Sequence, residues 1–470
     1  MSNNNNNINK IQNNNINNNS SGHNNSFQTN NQNNNLNQNN QINDNLIENF
    51  KEIFIYYNFF IFTDTGSCIF KMSSDENDKN SFQNIGAMQG IIQALFFTAI
   101  DLKCHIHSLN TELGILCYKA FTNNENTLLL ALMFPNYYCD ENLCLNITQN
   151  ILDYIYHILL IHIGVTDLFS FSNSNDIEKL RRYLDLYKNS IKYILKHHTK
   201  LNLILKAEKK YEIDKDVIYS IKFYLEKIKK NLKLDLIAIT VKNIIVRASS
   251  DWLNIEIMDR ILFLIISEIY SDGDYNEIPI YFSNTPLEDE GIGKIPYKFF
   301  IIKLLKETKI LFLSDNDINI NSIDLNILDD FFISRIIGMK NNLLFNNEII
   351  DNNVKSLIVY NYYLKTYKIM IDENLENIFE KFIINNVFSN MIFIDEENEN
   401  LTDDKNFITD EFYIKDDSNF TFYYYKINYL TFFILFDRET TFDDINIVKV
   451  TLKTLKENFD NKENYKDSKK

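Results

Sequence analysis

Residues 234–249 read LDLIAITVKNIIVRAS, and their patterning decides what kind of fold the chain adopts. Two runs rich in Ile, Val and Leu, residue types that suit a pleated and half-buried surface, flank the pair Lys242 and Asn243. A two-residue connection between such runs predicts a tight β-hairpin. The next stretch, IEIMDRILFLIISEIYS (255–271), is long enough and apolar enough for a helix. Three strand-like runs follow, EIPIYFSN (277–284), KIPYKFFIIKLL (294–305) and KILFLSD (309–315), and then a helical run from Asp324 to Lys340. The order is two strands, a helix, three strands, a helix.

The same order stands on both sides of this unit, with one additional strand-like run downstream. Upstream, KEIFIYYNFFIFT (51–63) and CIFKMS (68–73) precede the amphipathic helix NIGAMQGIIQALFFTAI (84–100), the runs KCHIHSLN (103–110), GILCYKAF (114–121) and TLLLALMF (127–134), and a helix from Glu141 to Ile163. Downstream, SLIVYNYYLKTYKIMI (356–371) is followed by a helix from Asn374 to Phe388. After it come MIFIDEE (391–397), DEFYIKD (410–416), FTFYYYKIN (420–428), LTFFILFD (430–437) and a helix from Thr441 to Phe459. The expected fold class is therefore α/β of the α+β kind: three tandem units of mainly antiparallel sheet covered by helices. Their bounds are 50–165, 234–345 and 355–460, with a helical connector at 166–233. Residues 1–45 are rich in asparagine with Lys10 and Asp44 as their ionised side chains, a composition expected to stay disordered because it offers too little apolar surface to offset ordering entropy.

Composition excludes several classes of function. With 45% hydrophobic residues, 36 Phe and 27 Tyr in 470 residues, the chain has material for large cores. Five cysteines with no CxxC pair suit buried, reduced thiols in an intracellular protein. The most apolar helical run, 151–164, is too short for a bilayer and carries Asp153, His157 and His162, so a soluble protein is expected. A net charge of -16 repels phosphate backbones and argues against nucleic acid. Against that background, residues 179–233 hold 16 Lys and Arg against 6 Asp and Glu, a net of +10 that leaves the rest at -26.

The usual marks of catalysis and cofactor binding are missing. Ten glycines leave no GxGxxG or GxxxxGK[ST] loop for a nucleotide phosphate. His105 with His107, His157 with His162, and Cys139 with Cys144 lack further ligands at zinc-like spacing. Glu288, Asp289 and Glu290 lack the alternating spacing of a calcium loop. Asp64, Ser67 and Cys68 gather around Gly66 in FIFTDTGSCIFKMS (60–73) but have no GxSxG elbow; turn chemistry between two strands is the expected reading. No enzyme activity, cofactor or metal is expected. Two features remain. Gly86, Gly90 and Ala94 recur at every fourth position of one helix, which lets that helix approach either its own sheet or a partner closely. Arg181, Arg182, Lys188, Lys192 and Lys196 form a basic stretch suited to acidic lipid, to an acidic partner surface, or to solvent alone.

Several local sequences resemble the Fuzzy family of planar cell polarity proteins, which are built from three longin domains. The carrying stretches are NIGAMQGIIQAL, IGVTDLFSFSNSNDIEKLRRYL (163–184), ITVKNIIVRASSDWL (239–253) with the lone Trp252, IPIYFSN, IPYKFFIIKLLKETKILFLSD and, more loosely, YYLKTYKIMID (362–372). The likeness covers residues 50–460 in the same order. The first unit and LRRYL are also similar to the Mon subunit of the Mon-Ccz vacuolar fusion complex, which shares the triple-longin plan with the Hermansky-Pudlak subunits. The resemblance implies a non-catalytic effector of planar cell polarity, cilium assembly and vesicle transport, acting with an Inturned-like longin partner in a guanine nucleotide exchange assembly for a Rab-type GTPase. A Mon-like role in vacuolar or endosomal fusion, or a scaffold without exchange activity, are the alternatives. It further implies a cytoplasmic protein, peripheral to a phosphoinositide-containing membrane or bound to the cytoskeleton, at the basal body where cilia exist, with Gly86, Gly90 and Ala94 at or beside the partner contact.

Overall fold

The computed structural model describes residues 57–74, 90–91, 94, 108–110, 114–123, 126–134, 141–210, 215–282, 295–305, 307–316, 318, 354–371, 411–415, 420–427, 429–437, 440–441, 443, 445–450 and 452–453. The tract 1–45, the helices expected at 324–340 and 374–388, the strand expected at 391–397, and Gly86, Cys104, His105, His107, Cys139, Glu288, Asp289 and Glu290 lie outside the described residues.

Among the described residues there are three antiparallel-dominated sheets. The first joins β1 (Asn58–Thr63), β2 (Cys68–Ser73), β3 (Ser108–Asn110), β4 (Ile115–Asn123) and β5 (Asn126–Phe134) in the order β2-β1-β5-β4-β3. The second joins β7 (Leu236–Val241), β8 (Ile244–Ala248), β9 (Tyr275–Phe282), β10 (Ile295–Leu305) and β11 (Thr308–Ser314) in the order β8-β7-β11-β10-β9. The third is built on β12 (Val354–Asn361), β13 (Thr366–Ile371), β14 (Glu411–Lys415), β15 (Phe420–Ile427) and β16 (Leu430–Asp437), ordered β14-β15-β16-β12-β13. Numbered within each sheet, the five strands thus stand second, first, fifth, fourth, third in all three. The mixed α+β class expected from the patterning is observed.

Local chemistry explains the elements. Lys242 and Asn243 both take positive φ, 51° and 59°, the conformation of a hairpin turn whose twist matches its strands. Ser249 accepts from the Trp252 amide at 3.2 Å and donates to the Asp235 carbonyl at 2.6 Å, so one hydroxyl caps α7 (Ser250–Leu253) and anchors it to the start of β7. The helix expected at 255–271 is α8 (Ile257–Ile269), and that expected from Glu141 to Ile163 is α1 (Glu141–Ile163).

The central strands of each sheet are buried on both faces, which is why they read as continuous apolar runs and not as clean alternations. Along β7, Leu236 and Ala238 face one core while Ile237, Ile239 and Val241 face another. Along β16, Phe433 and Leu435 part in the same way from Phe432, Ile434 and Phe436, and along β1 Phe59 and Ile61 part from Phe60 and Phe62. The inward faces of all three sheets belong to a single hydrophobic cluster, together with α1, α8 and the connector helices between residues 165 and 204. The outward faces form separate cores. All the described residues fall in one compact unit, Asn49–Lys470.

The connector comprises α2 (Val165–Leu168), α3 (Ser174–Leu186), α4 (Lys188–His197), α5 (Leu201–Ile204) and α6 (Lys215–Leu232). It is not wholly helical. Glu208 and Lys209 form a short strand, β6, that adds in parallel to β13 at the edge of the third sheet. Its last helix, α6, buries Val217, Ile221, Tyr224, Leu225 and Ile228 on the outward face of the second sheet.

Candidate functional site

The basic stretch divides into two helices of different character. Asn173 caps α3 through its side chain, accepting from the amides of Asn175 and Asp176 at 3.0 Å. On α3, Arg181 and Arg182 are exposed, yet both lean on Glu178, at 3.9 and 3.6 Å. Arg181 also donates to the Cys68 carbonyl of β2 at 3.4 Å, and Lys179 pairs with Asp167 at 2.8 Å. With Asp176, Glu178 and Asp185 against Lys179, Arg181 and Arg182, α3 carries no net charge. By contrast α4 places Lys188, Lys192 and Lys196 four residues apart with no acidic residue, while Ser190, Ile191, Ile194 and Leu195 are buried. Lys192 and Lys196 are exposed and Lys188 is half-buried. The five expected cations thus stand on two adjacent helices, Arg181 and Arg182 on α3 and Lys188, Lys192 and Lys196 on α4.

Behind α4 lies a buried polar joint. His162, in the last turn of α1, shares a 3.0 Å hydrogen bond between Nε2 and Ser190 Oγ. Its ring stacks on Tyr187 at 4.2 Å between centroids and meets Tyr270 edge-on at 6.2 Å. A serine beside a histidine invites a nucleophile-and-base reading. Against it, both side chains are buried, and burial holds His162 neutral with its pKa lowered to about 3, too weak a base for that work near neutral pH. His198, buried with Nδ1 2.7 Å from the Leu195 carbonyl, is lowered by burial to about 4. Gly164 ends α1 with φ 78°, and a Cβ there would stand 2.9 Å from the ring of Tyr281 on β9.

A second joint is ionic. Glu208 on β6 is buried, and its carboxylate meets Lys210 at 2.7 Å and Arg260 of α8 at 3.4 Å. One carboxylate thus ties the connector and the second unit's helix at the point where β6 enters the third sheet. Lys309 on β11 is also buried; it donates to the Ser267 carbonyl of α8 at 2.7 Å and to Asn243 Oδ1 of the hairpin turn at 3.0 Å. Burial pushes its pKa down. Sequence reasoning missed Glu208, Arg260 and Lys309, since a single charged residue reads as surface until its neighbours across the fold are known.

The remaining expected positions are plain in their geometry. Asp64 to Ser67 form the turn between β1 and β2, closed by Gly66 N to Thr63 O at 2.9 Å and Thr63 N to Ser67 O at 3.0 Å, with Gly66 at φ 76°. Cys68 begins β2, its thiol donating to the Phe70 carbonyl, and burial raises its pKa, the reverse of nucleophile activation. Cys68 and Cys117 are free thiols. Gly90 and Ala94 are helical and exposed, and a Cβ on Gly90 would meet nothing within 4 Å; these two do not pack against their own sheet. Among the described residues no group of three or more His, Cys, Asp and Glu could hold a metal ion, and no helix is long and apolar enough to cross a membrane. No protein-family model matches the chain, and no curated protein matches it in sequence.

Proposed function

We propose that the chain is a non-catalytic polarity and membrane-trafficking subunit of three longin units, acting with an Inturned-like longin partner to promote nucleotide exchange on a Rab-type GTPase at a membrane surface. The observation that carries this reading is the recurrence of one sheet order in three successive units, in line with the triple-longin resemblance of the sequence. In such an assembly no side chain breaks a covalent bond. Exchange follows when a surface binds the GTPase better in its weakly nucleotide-bound state, which shifts the population toward release. In this reading the partner meets the first unit at the helix carrying the exposed Gly90 and Ala94, and the active location is cytoplasmic and peripheral, at basal bodies in ciliated cells.

The test is affinity purification of the full chain with its longin partner, followed by release of a fluorescent guanine nucleotide from a panel of small GTPases. Acceleration of about tenfold or more on one Rab-type member is the expected result, and Asp64→Ala and Ser67→Ala should leave it unchanged. Release at the intrinsic rate across the panel, with the partner bound, leaves a scaffold without exchange activity and overturns the reading.

A further inference from the structure

Helix α6 is fixed on the second sheet by its buried face, which determines what the opposite face shows to solvent. There stand Tyr219 and Phe223, one turn apart and 69% and 74% exposed. Lys222, Lys227 and Lys230 are exposed around them, with Glu226 as the acidic residue between. Lys229, at the margin, is engaged with Asp251 at 3.0 Å. Over its length α6 holds five lysines, Lys215, Lys222, Lys227, Lys229 and Lys230, against Asp216 and Glu226, in a chain whose net charge is -16.

We infer that this face of α6 docks the protein on an anionic lipid surface. The charge is complementary to acidic headgroups, each nearby Lys strengthening the attraction. The aromatic pair then decides between lipid and protein. An acidic protein would match the lysines but would need an apolar recess shaped for Phe223. A headgroup layer supplies both partners without any such recess, phosphates at the surface and an apolar layer just beneath, where an amphipathic tyrosine ring is at home. The lysine stems reach outward while the rings settle inward. The inference deepens the membrane side of the proposed function and moves the contact from α3, whose arginines are paired with Glu178, to α6.

Vesicle flotation of the full chain tests it, with phosphatidylcholine alone and with phosphatidylserine added. Strong binding is expected only with phosphatidylserine. The triple variant Lys222→Glu, Lys227→Glu and Lys230→Glu should weaken it by about 100-fold or more, and the pair Tyr219→Ser and Phe223→Ser by about tenfold or more. Reversing Lys188, Lys192 and Lys196 on α4 should cost less. A second readout does not depend on these variants folding well: Phe223→Trp should shift its emission to the blue on phosphatidylserine vesicles, because the native Trp252 is fully buried and supplies a constant background. Equal binding to both vesicle types, unchanged binding of the triple variant, or no emission shift overturns the inference. Because nucleotide release is measured without vesicles, either result can fail alone.

Discussion

The outward face of the second sheet and the region where its inward face meets the rest of the molecule use different chemistry. Outward, Ile237, Ile239, Val241, Phe300, Ile302, Ile310 and Phe312 pack on the apolar stripe of α6, with Phe300 and Phe312 stacked at 4.7 Å. Such burial is strong but has no direction, and any apolar set of similar volume would do. Inward, the shared cluster is interrupted by groups that fit in one arrangement: the Glu208, Arg260 and Lys210 set, the His162 to Ser190 bond and Gly164 against Tyr281. The contrast teaches that burial makes each sheet, while directional contacts fix how the sheets are mounted.

The largest effects should separate the two regions cleanly. Phe312→Ala is expected to cost about 3–5 kcal/mol, and hydrogen exchange should rise in the second sheet first. Glu208→Ala is expected to cost a similar amount, about 3–5 kcal/mol, because it leaves Arg260 buried and unpaired, but its exchange signature should spread to β6 and β13. Identical exchange maps for the two variants would show that Glu208 does not act on the mounting of the third sheet.

Acidification should act on the joint. His162 and His198 have folded pKa values near 3 and 4, lowered by burial from 6.5. Their contribution to stability is complete above about pH 6.5 and is lost as pH falls toward those folded values, on the order of 1.4 kcal/mol per pH unit for each group. Melting temperature measured from pH 7.5 down to 5 should drop less steeply in His162→Gln than in the unaltered protein; parallel curves would show that the joint does not sense protons.

Gly164→Ala forces an L side chain into a positive-φ position and against an aromatic ring, and should cost about 1–3 kcal/mol. Adding Tyr281→Ala should recover only the part due to the clash. The smallest effect is expected at the exposed Gly90. Gly90→Leu has open space and should leave thermal stability within about 1 kcal/mol, with a gain favoured by helix propensity. Loss of the longin partner in that variant would sharpen the proposed contact, whereas a fall of several degrees would show that Gly90 is packed after all.

Much of the fold was legible because local rules were obeyed. Lys242 and Asn243 between two β-branched runs became the hairpin turn that their spacing implies, and the period of 141–163 became α1 with those same bounds. The interaction surfaces were less legible. Arg181 and Lys188 look alike in a charge count, although Glu178 lies on the same helix face as Arg181 while α4 has no acidic residue of its own. Nor does helical spacing tell which turn of α6 faces the sheet, so Tyr219 and Phe223 were indistinguishable from core residues such as Ile221 and Tyr224 until the packing was known.

Among the described residues, patterning along the chain anticipated most element types and the strand pairing by short turns, since these depend on neighbours a few residues away. Which faces became a common core, where β6 joined the third sheet, and which carboxylate met Arg260 were decided only by tertiary structure. Those outcomes depend on contacts between residues far apart in sequence, such as Glu208 with Arg260 and Arg181 with Cys68, and no local preference encodes them.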